Sequence, residues 1–192
     1  MPQDPSVFVH EKGLCEGDVG PRTRIWAFAH VMEGARVGAD CNICMGAFVE
    51  AGAVIGNRVT VKNGVQVWAG VTIEDDVFLG PNATLTNVRN PRSAFKAPPA
   101  AFTPTRIRRG ATIGANATVV CGNTIGAQAF VAAGAVVTQN VPAHTLVVGN
   151  PARQVGWVCT CGERLPENLT CPCGRRFRLV DEETGLAPLD AD

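Results

Sequence analysis

The sequence has no excess of charge of either sign. Its 192 residues include 17 basic and 17 acidic side chains, so the whole chain has no field that would draw it to nucleic acid or to an anionic membrane. We therefore expect neither as a partner. Any site for an anionic ligand must be local.

Long apolar runs are also absent. No stretch approaches the roughly 18 uncharged apolar residues of a membrane-spanning helix, and the start, MPQDPSVFVHEKG, has no basic segment followed by an apolar one. We therefore expect a cytoplasmic protein. Without such a signal, the eight cysteines indicate reduced thiols or metal ligands rather than a disulfide framework.

The sequence does contain a six-residue period. Aliphatic residues recur twelve times with this spacing from Val19 to Leu85, and six times from Ile107 to Val137. An amphipathic helix would place apolar residues three and four apart, and an exposed strand would alternate. The period therefore predicts repeated units of one short strand and one corner. The aliphatic positions are Val19, Ile25, Val31, Val37, Ile43, Val49, Ile55, Val61, Val67, Ile73, Leu79, Leu85, Ile107, Ile113, Val119, Ile125, Val131 and Val137.

Glycine often follows the aliphatic residue, as at Gly38, Gly56 and Gly80. A tight turn can require the φ angles that glycine adopts freely, so we expect these glycines to form the corners. The aliphatic ladders would then supply the core, at about 0.8 kcal/mol per buried methylene.

Residues 88–106, VRNPRSAFKAPPAAFTPTR, interrupt the period. They contain four prolines and none of the repeat signature, so we expect them to leave the repeat as a loop. Long loops in compact domains are often functional.

The period is lost again after Trp157, where two cysteine pairs stand a dozen residues apart. They are Cys159 with Cys161 and Cys171 with Cys173. Four thiolates can close a tetrahedral structural zinc site, although paired ligands are usually separated by two residues rather than one. Free thiols in a small strand-rich cap are the alternative. The expected domains are 1–157 and a tail of 158–192.

The repeat resembles that of the hexapeptide acyltransferases, in which three hexapeptides form one coil of a left-handed parallel β-helix. The resemblance implies an all-β prism of about six coils with one excursion loop and a small Cys-containing cap. It also implies a homotrimer with sites between subunits, and closed symmetry is the ordinary outcome for soluble oligomers. The handedness rests on the resemblance, since parallel crossovers are generally right-handed.

Longer motifs resemble those of the sugar-nucleotide 3-N-acetyltransferases. They are IWAFAH from Ile25, VKNGVQVWAGVTIEDDVFLGPNATLTN from Val61, NPRS from Asn90, GATIGANATVVCG from Gly110 and VVGNPARQVGW from Val147. The resemblance implies acetyl transfer from acetyl-CoA to the 3-amino group of a nucleotide-linked sugar. Asn-Pro-Arg in the loop and GWVCTCGERL in the tail favour UDP-2-acetamido-3-amino-2,3-dideoxyglucuronate, for surface polysaccharide synthesis. GVQVW favours a dTDP-3-amino-3,6-dideoxyhexose.

The resemblance also implies site residues for the acceptor. The Asn of a Thr-Asn pair before the loop orients the reacting amine in this family, and it corresponds to Asn87. An eighteen-residue coil places Trp68 in the same corner region as a candidate for substrate contact. His30, at an outward-facing repeat position, is the rival candidate as general base and another candidate for substrate contact.

Three cations are candidates for the acceptor's diphosphate or a sugar carboxylate, because paired donors suit such groups. They are Arg24, Lys62 and Arg92. Solvated surface charges are the alternative for each.

The acetyl-CoA side is predicted from small residues that are one coil apart, in Gly114-Ala115-Asn116 and Ala132-Ala133-Gly134. They would leave backbone amides accessible to an extended pantetheine arm. Tight coil packing is the alternative explanation. Arg153 is the candidate for the CoA phosphates, with Arg108 and Arg109 as further candidates.

A non-enzymatic scaffold or a carbonic-anhydrase-like protein is the competing interpretation, since a fold does not fix a function. The zinc-dependent form of that enzyme needs histidines that reach across subunits. The sequence has three histidines, without paired spacing in the repeat. A scaffold would need neither the small-residue track nor the loop after Asn87.

Overall fold

Three parallel sheets form the faces of a prism in the computed structural model, which describes residues 4–96, 98–181 and 184–189. The parallel strands of face A are β1 (Phe8–Val9), β4 (Arg24–Ile25), β7 (Asn42–Ile43), β10 (Thr60–Val61), β13 (Phe78–Leu79), β16 (Thr112–Ile113), β19 (Phe130–Val131) and β21 (Thr145–Val148). Those of face B are β2 (Leu14–Cys15), β5 (His30–Val31), β8 (Phe48–Val49), β11 (Gln66–Val67), β14 (Thr84–Leu85), β17 (Thr118–Val119) and β20 (Val136–Val137). Those of face C are β3 (Asp18–Val19), β6 (Arg36–Val37), β9 (Val54–Ile55), β12 (Val71–Ile73), β15 (Thr105–Ile107) and β18 (Thr124–Ile125).

The chain visits faces A, B and C in turn, so three strands make one coil. We name the prism edges AB, BC and CA after the faces that they join. Thr60 pairs with Asn42 in the preceding coil and with Phe78 in the following one, eighteen residues away on each side. The predicted all-β solenoid is confirmed, and its stacked coils are consistent with the left-handed β-helix.

The structure has about eight coils rather than the expected six. Val9 and Cys15 lie on strands of an additional first coil, and Val147 lies on a strand of the last. These outer coils are shorter, because Phe8 pairs with Arg24 and Ile125 bridges to Val141, each across sixteen residues. The six-residue pattern therefore misses them.

The core follows the aliphatic period. All eighteen aliphatic positions are buried, and none is more than 6% exposed. Small residues four positions further on complete the same core. Examples are Ala29, Ala35, Ala47, Val65, Ala117 and Ala135.

The predicted role of the glycines is wrong in one respect. Gly38, Gly56 and Gly80 do not have positive φ angles. A Cβ atom on Gly38 would lie 2.6 Å from the carbonyl carbon of Gly56, so these glycines permit the close approach of successive coils. Positive φ angles instead occur three residues after the aliphatic positions, at Arg22, Phe28, Gly34, Asp40, Gly46, Gly52, Arg58, Gly64, Gly70, Asp76 and Asn82.

The interruption leaves the prism as a loop between β14 and β15. Val71 pairs with Thr105 across thirty-four residues, so the loop adds sixteen residues to one coil. It contains a short 3-10 helix, Pro99–Ala101. The backbone N–H of Thr103 donates to the carbonyl of Asn87 at 2.8 Å, which closes the base of the loop.

A small Cys-containing cap follows the last coil, and its described residues are 158–181 and 184–189. Strand β22 (Arg153–Trp157) pairs antiparallel with β21, and β23 (Phe177–Asp181) pairs antiparallel with β24 (Gly185–Pro188). The cap has its own apolar cluster of Cys159, Leu165, Cys171, Phe177 and Leu186. Across the described ranges, no helix combines the length and apolarity that a membrane crossing requires.

Substitutions at Gly38 and Gly46 test the two roles of the corner glycines, which are to permit the close approach of coils and to adopt a positive φ angle. Gly38→Ala should overpack the corner and cost about 1–3 kcal/mol, which lowers Tm by several degrees. Gly46 has φ +68°, and a Cβ atom there would meet Gly64 only at 4.0 Å. Gly46→Asn should leave Tm nearly unchanged, because asparagine tolerates this conformation. Thermal unfolding followed by circular dichroism tests both. Equal losses of Tm would contradict the assigned roles.

Candidate functional site

Asn87 and Trp68 lie at edge BC, at the base of the loop. The indole Nε1 of Trp68 donates to the carbonyl of Leu85 at 2.8 Å, and the backbone N–H of Cys121 donates to Thr86 Oγ1 at 2.9 Å. The carbonyl of Asn87 itself accepts from the N–H of Thr103. Hydrogen bonds therefore hold the chain at Asn87 and at the two residues before it. Within the described ranges, the side-chain amide of half-buried Asn87 has no hydrogen-bond partner. This amide is available for a hydrogen bond to a ligand.

His30 lies on face B, where it contacts a carboxylate and belongs to an aromatic column. Its Nε2 is 2.9 Å from Oε2 of Glu16. Its ring meets the edge of Phe48 at a centroid distance of 5.5 Å, and Phe48 lies 5.9 Å from Trp68. The eighteen-residue register places Phe48 beside His30. Sequence reasoning missed Glu16, which pairs with His30 from the shorter first coil.

The structure does not bring His30 and Asn87 together. His30 pairs with Phe48, Phe48 with Gln66, and Gln66 with Thr84, so three coil spacings separate the two candidates along the axis. At about 4.8 Å per spacing, this is roughly 14 Å. His30 is therefore out of reach of an amine that Asn87 of the same chain contacts.

The three candidate cations are also dispersed. Arg24 is exposed on face A, in a groove with Arg22 and Asp40. Lys62 follows β10 at edge AB and lines a shallow pocket with Trp26 and other residues. Arg92 is exposed in the loop beyond edge BC. One chain therefore offers no single cationic cluster of these three residues.

The pocket at Lys62 was not predicted from the sequence. The indole Nε1 of Trp26 donates to Oδ1 of Asn42 at 2.6 Å, and its ring is 5.5 Å from that of Phe8. Met45 lines the same pocket and is half exposed. Outward positions of the repeat carry no common residue type, so the period gives no signal for such a pocket.

The small-residue track lies along edge AB. Ala115 and Ala133 are in adjacent coils, where the N–H of Gly134 donates to the carbonyl of Ala115 at 2.9 Å. Among the described residues, the N–H groups of Ala115 and Ala133 have no acceptor. A Cβ atom on Gly134 would meet nothing within 4 Å, so this edge is open to a ligand.

Arg153 lies at the end of this track. It pairs with Val148, which immediately precedes Gly149 at the same edge in the last coil, and its side chain is exposed. Arg108 and Arg109 follow β15 at edge CA, where Arg109 lies 3.7 Å from Asp75. They are separated from the track by face A.

The four cysteines of the cap converge. Their Sγ atoms all lie within 4.8 Å of one another, the only such group of potential metal ligands in the described part of the chain. Burial raises the pKa of Cys159 to about 12, whereas the backbone N–H of Arg175 lowers that of Cys173 to about 6. The four cysteines lie in the cap beyond the last coil, whereas Asn87 lies at the base of the loop between β14 and β15.

The acceptor and acetyl-CoA candidates occupy different edges of one prism. Asn87 is at edge BC and the small-residue track is at edge AB, with face B between them. One side of a coil is about six residues, or up to about 20 Å of extended chain. The two candidate half-sites of a single chain are therefore separated by a whole face.

Comparison with known proteins agrees with this architecture. The family model described as bacterial transferase hexapeptide (six repeats) matches residues 52–87, and that for the hexapeptide repeat of succinyl-transferase matches residues 104–139. The chain is 47% identical over 178 residues to dTDP-3-amino-3,6-dideoxy-alpha-D-galactopyranose 3-N-acetyltransferase of Aneurinibacillus thermoaerophilus, across 91% of this chain and 92% of that protein.

Solved structures share the prism. A hexapeptide-repeat containing acetyltransferase from Vibrio cholerae O1 biovar eltor, complexed with acetyl coenzyme A, matches with a TM-score of 0.58 and 30% identity over 64% of this chain and 70% of that one. The acetyltransferase domain of PglB from Neisseria gonorrhoeae FA1090 matches with a TM-score of 0.54 and 24% identity over 78% and 57% of the respective chains. The second likeness shows the fold alone.

The match to the Aneurinibacillus enzyme extends over nearly the whole of both chains, and the repeats match family models on both sides of the loop. The predicted enzyme class is thereby confirmed: this chain belongs to the hexapeptide-repeat acetyltransferase family.

Proposed function

We propose that this protein transfers the acetyl group of acetyl-CoA to the 3-amino group of a nucleotide-linked sugar, with a dTDP-3-amino-3,6-dideoxyhexose as acceptor. The observation that carries the proposal is the 47% identity, over 91% of the chain, to an enzyme named for that reaction. The loop and tail motifs favoured a UDP-linked uronate instead. The relative favours the dTDP-linked acceptor more strongly than these short motifs favour the uronate, because it matches over nearly the full length.

Alignment is the main task of the site in this reaction. The amine nitrogen attacks the thioester carbonyl, the C–S bond then breaks, and the CoA sulfur leaves with the electron pair. The proton lost by the nitrogen passes to this sulfur, directly or through water, so that the products are the amide and the CoA thiol. Holding the two reactants in attack geometry can contribute roughly 7 to 11 kcal/mol. The amide of Asn87, which has no partner in the described chain, would accept a hydrogen bond from the amine or donate one to the developing oxyanion.

Edge AB suits the acetyl donor. An extended pantetheine arm along the track would accept hydrogen bonds from the N–H groups of Ala115 and Ala133, which lack intrachain acceptors in the described ranges. Gly134 leaves space for it. Arg153, exposed at the end of the track, would contact the CoA phosphates through paired donors.

A neighbouring subunit would bring the two half-sites together. In a closed ring of three chains, edge BC of one subunit can face edge AB of the next. Several large apolar side chains on face A and at edge AB support burial by another copy of the chain, because monomeric proteins rarely expose large apolar patches. They are Phe8, Trp26, Phe28, Met45 and Phe78.

A UDP-linked 3-amino uronate is the second candidate acceptor. Arg92 is exposed in the loop that follows Asn87, and a guanidinium is suited to bind a sugar carboxylate through two parallel hydrogen bonds. This contact would have no counterpart in a deoxyhexose.

A thiol-release assay with acetyl-CoA and purified amino-sugar nucleotides tests the function. Turnover should be fastest with a dTDP-linked 3-amino-3,6-dideoxyhexose. Preference for the UDP-linked uronate, reduced by Arg92→Ala, would favour the second candidate. Acetyl transfer to neither class of amino sugar would contradict the proposal.

Replacement of Asn87 tests its role at the reacting amine. Asn87→Ala should lower kcat by about 10²-fold or more, the scale for loss of one well-placed polar group in a transition state. The fold should survive, because the backbone of Asn87 rather than its side chain closes the loop. Lys96→Ala, in the same loop and exposed, should retain normal kcat. Near-normal kcat for Asn87→Ala would remove Asn87 from the mechanism.

Replacement of His30 tests the rival general base. His30→Ala should keep measurable turnover and an unchanged acid limb in the pH profile of kcat/KM, because His30 is about three coil spacings from Asn87. Glu16→Gln removes the carboxylate beside Nε2 of His30 and should have a similarly mild effect. A folded but inactive His30→Ala enzyme, or one that has lost the acid limb, would make His30 the base.

Replacement of Arg153 tests the donor site. Loss of a charge-assisted hydrogen bond costs about 1.5–3 kcal/mol, so Arg153→Ala should weaken CoA binding by about tenfold to a hundredfold in calorimetry. Arg108→Ala and Arg109→Ala, at edge CA, should bind CoA normally. A larger loss of affinity in either of these two variants would place the phosphates at edge CA.

A further inference from the structure

The cap contains two turns with the same construction. In the first, the N–H of Cys159 donates to the carbonyl of Glu163 at 2.8 Å and that of Gly162 to the carbonyl of Cys159 at 2.9 Å. In the second, Cys171 donates to Arg175 at 2.8 Å and Gly174 to Cys171 at 2.9 Å. Each turn is the tip of a small antiparallel bridge. The two turns therefore present two thiols each in matching geometry.

The thiols face each other across the two turns. Sγ of Cys159 is 3.6 Å from that of Cys173, and Sγ of Cys161 is 3.6 Å from that of Cys171. Zinc–sulfur bonds of about 2.3 Å at tetrahedral angles place sulfur atoms about 3.8 Å apart. A disulfide would require about 2.05 Å. The observed separations suit four ligands around one metal ion.

The described part of the cap has only a small apolar core of its own. Its apolar cluster has five buried residues, and two of these are Cys159 and Cys171. The other two cysteines are exposed, so the sulfur group lies at the surface end of the cluster. Small units with so little core usually need a metal or covalent cross-link.

We propose that the cap binds one structural zinc ion through the thiolates of Cys159, Cys161, Cys171 and Cys173. The four sulfur atoms fill a tetrahedron, so no position remains for a substrate or an activated water. The ion would order the cap and take no part in acetyl transfer.

The cap is attached to the last coil by contacts that do not involve the cysteines. The N–H of Val158 donates to the carbonyl of His144 at 2.7 Å, and Nδ1 of buried His144 donates back to the carbonyl of Val158 at 2.9 Å. The ring of His144 lies 4.8 Å from that of Phe177. The N–H of Leu186 donates to the carbonyl of Ala143 at 3.2 Å. Zinc in the cap would therefore rigidify this end of the prism.

Metal analysis of the full chain, purified without added metal or a metal-affinity tag, tests the proposal. We expect about one zinc per chain and a colourless protein. Cobalt substitution should give the strong visible absorption of tetrahedral cobalt thiolate. Cys161→Ser and Cys173→Ser should lower the zinc content, whereas Cys15→Ala, in the prism, should keep it. Bound iron, or two disulfides without metal, would overturn the zinc assignment.

Hydrogen exchange provides a readout that does not depend on the variants folding. Chelation of zinc from the wild-type protein should accelerate exchange in residues 158–181 several-fold and leave the strands of the prism protected, because the prism has its own core. The same cap protection with and without metal, at substoichiometric zinc, would show that these cysteines are ordinary thiols. Acetyl transfer should largely survive chelation, so this test is independent of the proposed acceptor.

Discussion

The structure depends on the short distance between successive coils. Parallel strands of adjacent coils pair at about 4.8 Å on every face, and the corners must approach as closely as the strands do. This excludes a Cβ atom at Gly38, which faces the backbone of Gly56 in the next coil. In the regular coils from Val19 to Leu85, one residue of each corner also adopts a positive φ angle, as Phe28 and Gly34 do. Inside these corners, the aliphatic ladders pack continuously from coil to coil.

The same stacking decides where functional groups can lie. Inward positions are filled by the core, so chemistry is confined to outward side chains, to the edges and to the loop. Residues of one edge stand in columns eighteen apart, and residues of different edges are separated by a whole face. Asn87 and the track at Ala115 and Ala133 therefore belong to different edges, and the fold cannot bring them together within one chain. This geometry makes a partner subunit part of the proposed reaction.

The six-residue period predicted the fold because each core position is filled by the same class of residue. It failed where the spacing changes, at the first and last coils around Val9 and Val147. The period also did not distinguish glycines that permit the close approach of coils from glycines that adopt positive φ angles, because a sequence does not specify φ angles directly. The sequence predicted that the four cap cysteines could bind one metal ion together. The two Sγ–Sγ distances of 3.6 Å came only from the structure.

The sequence predicted less of the candidate site than of the core. The eighteen-residue register predicted Trp68 near Asn87 and Phe48 beside His30. The structure pairs Phe48 with His30, and it places the indole of Trp68 against the carbonyl of Leu85, two residues before Asn87. Glu16 and the pocket at Trp26 were missed, because outward side chains follow no period. The assigned roles of Asn87, Arg153 and the cations stay predictions, since they depend on ligands and on a neighbouring subunit.

Mixed assemblies of the proposed trimer measure most directly whether two subunits share a site. Asn87→Ala would disable edge BC, and Ala133→Glu would disable edge AB by placing a carboxylate in the donor track. In a ring of three that contains both variants, one of the three interfaces joins two intact edges. Assemblies of the proposed trimer that are purified through two different tags should therefore recover about one third of wild-type kcat, although each variant alone has about a hundredth of it or less. Mixed trimers as inactive as the parent variants would contradict a site shared between subunits.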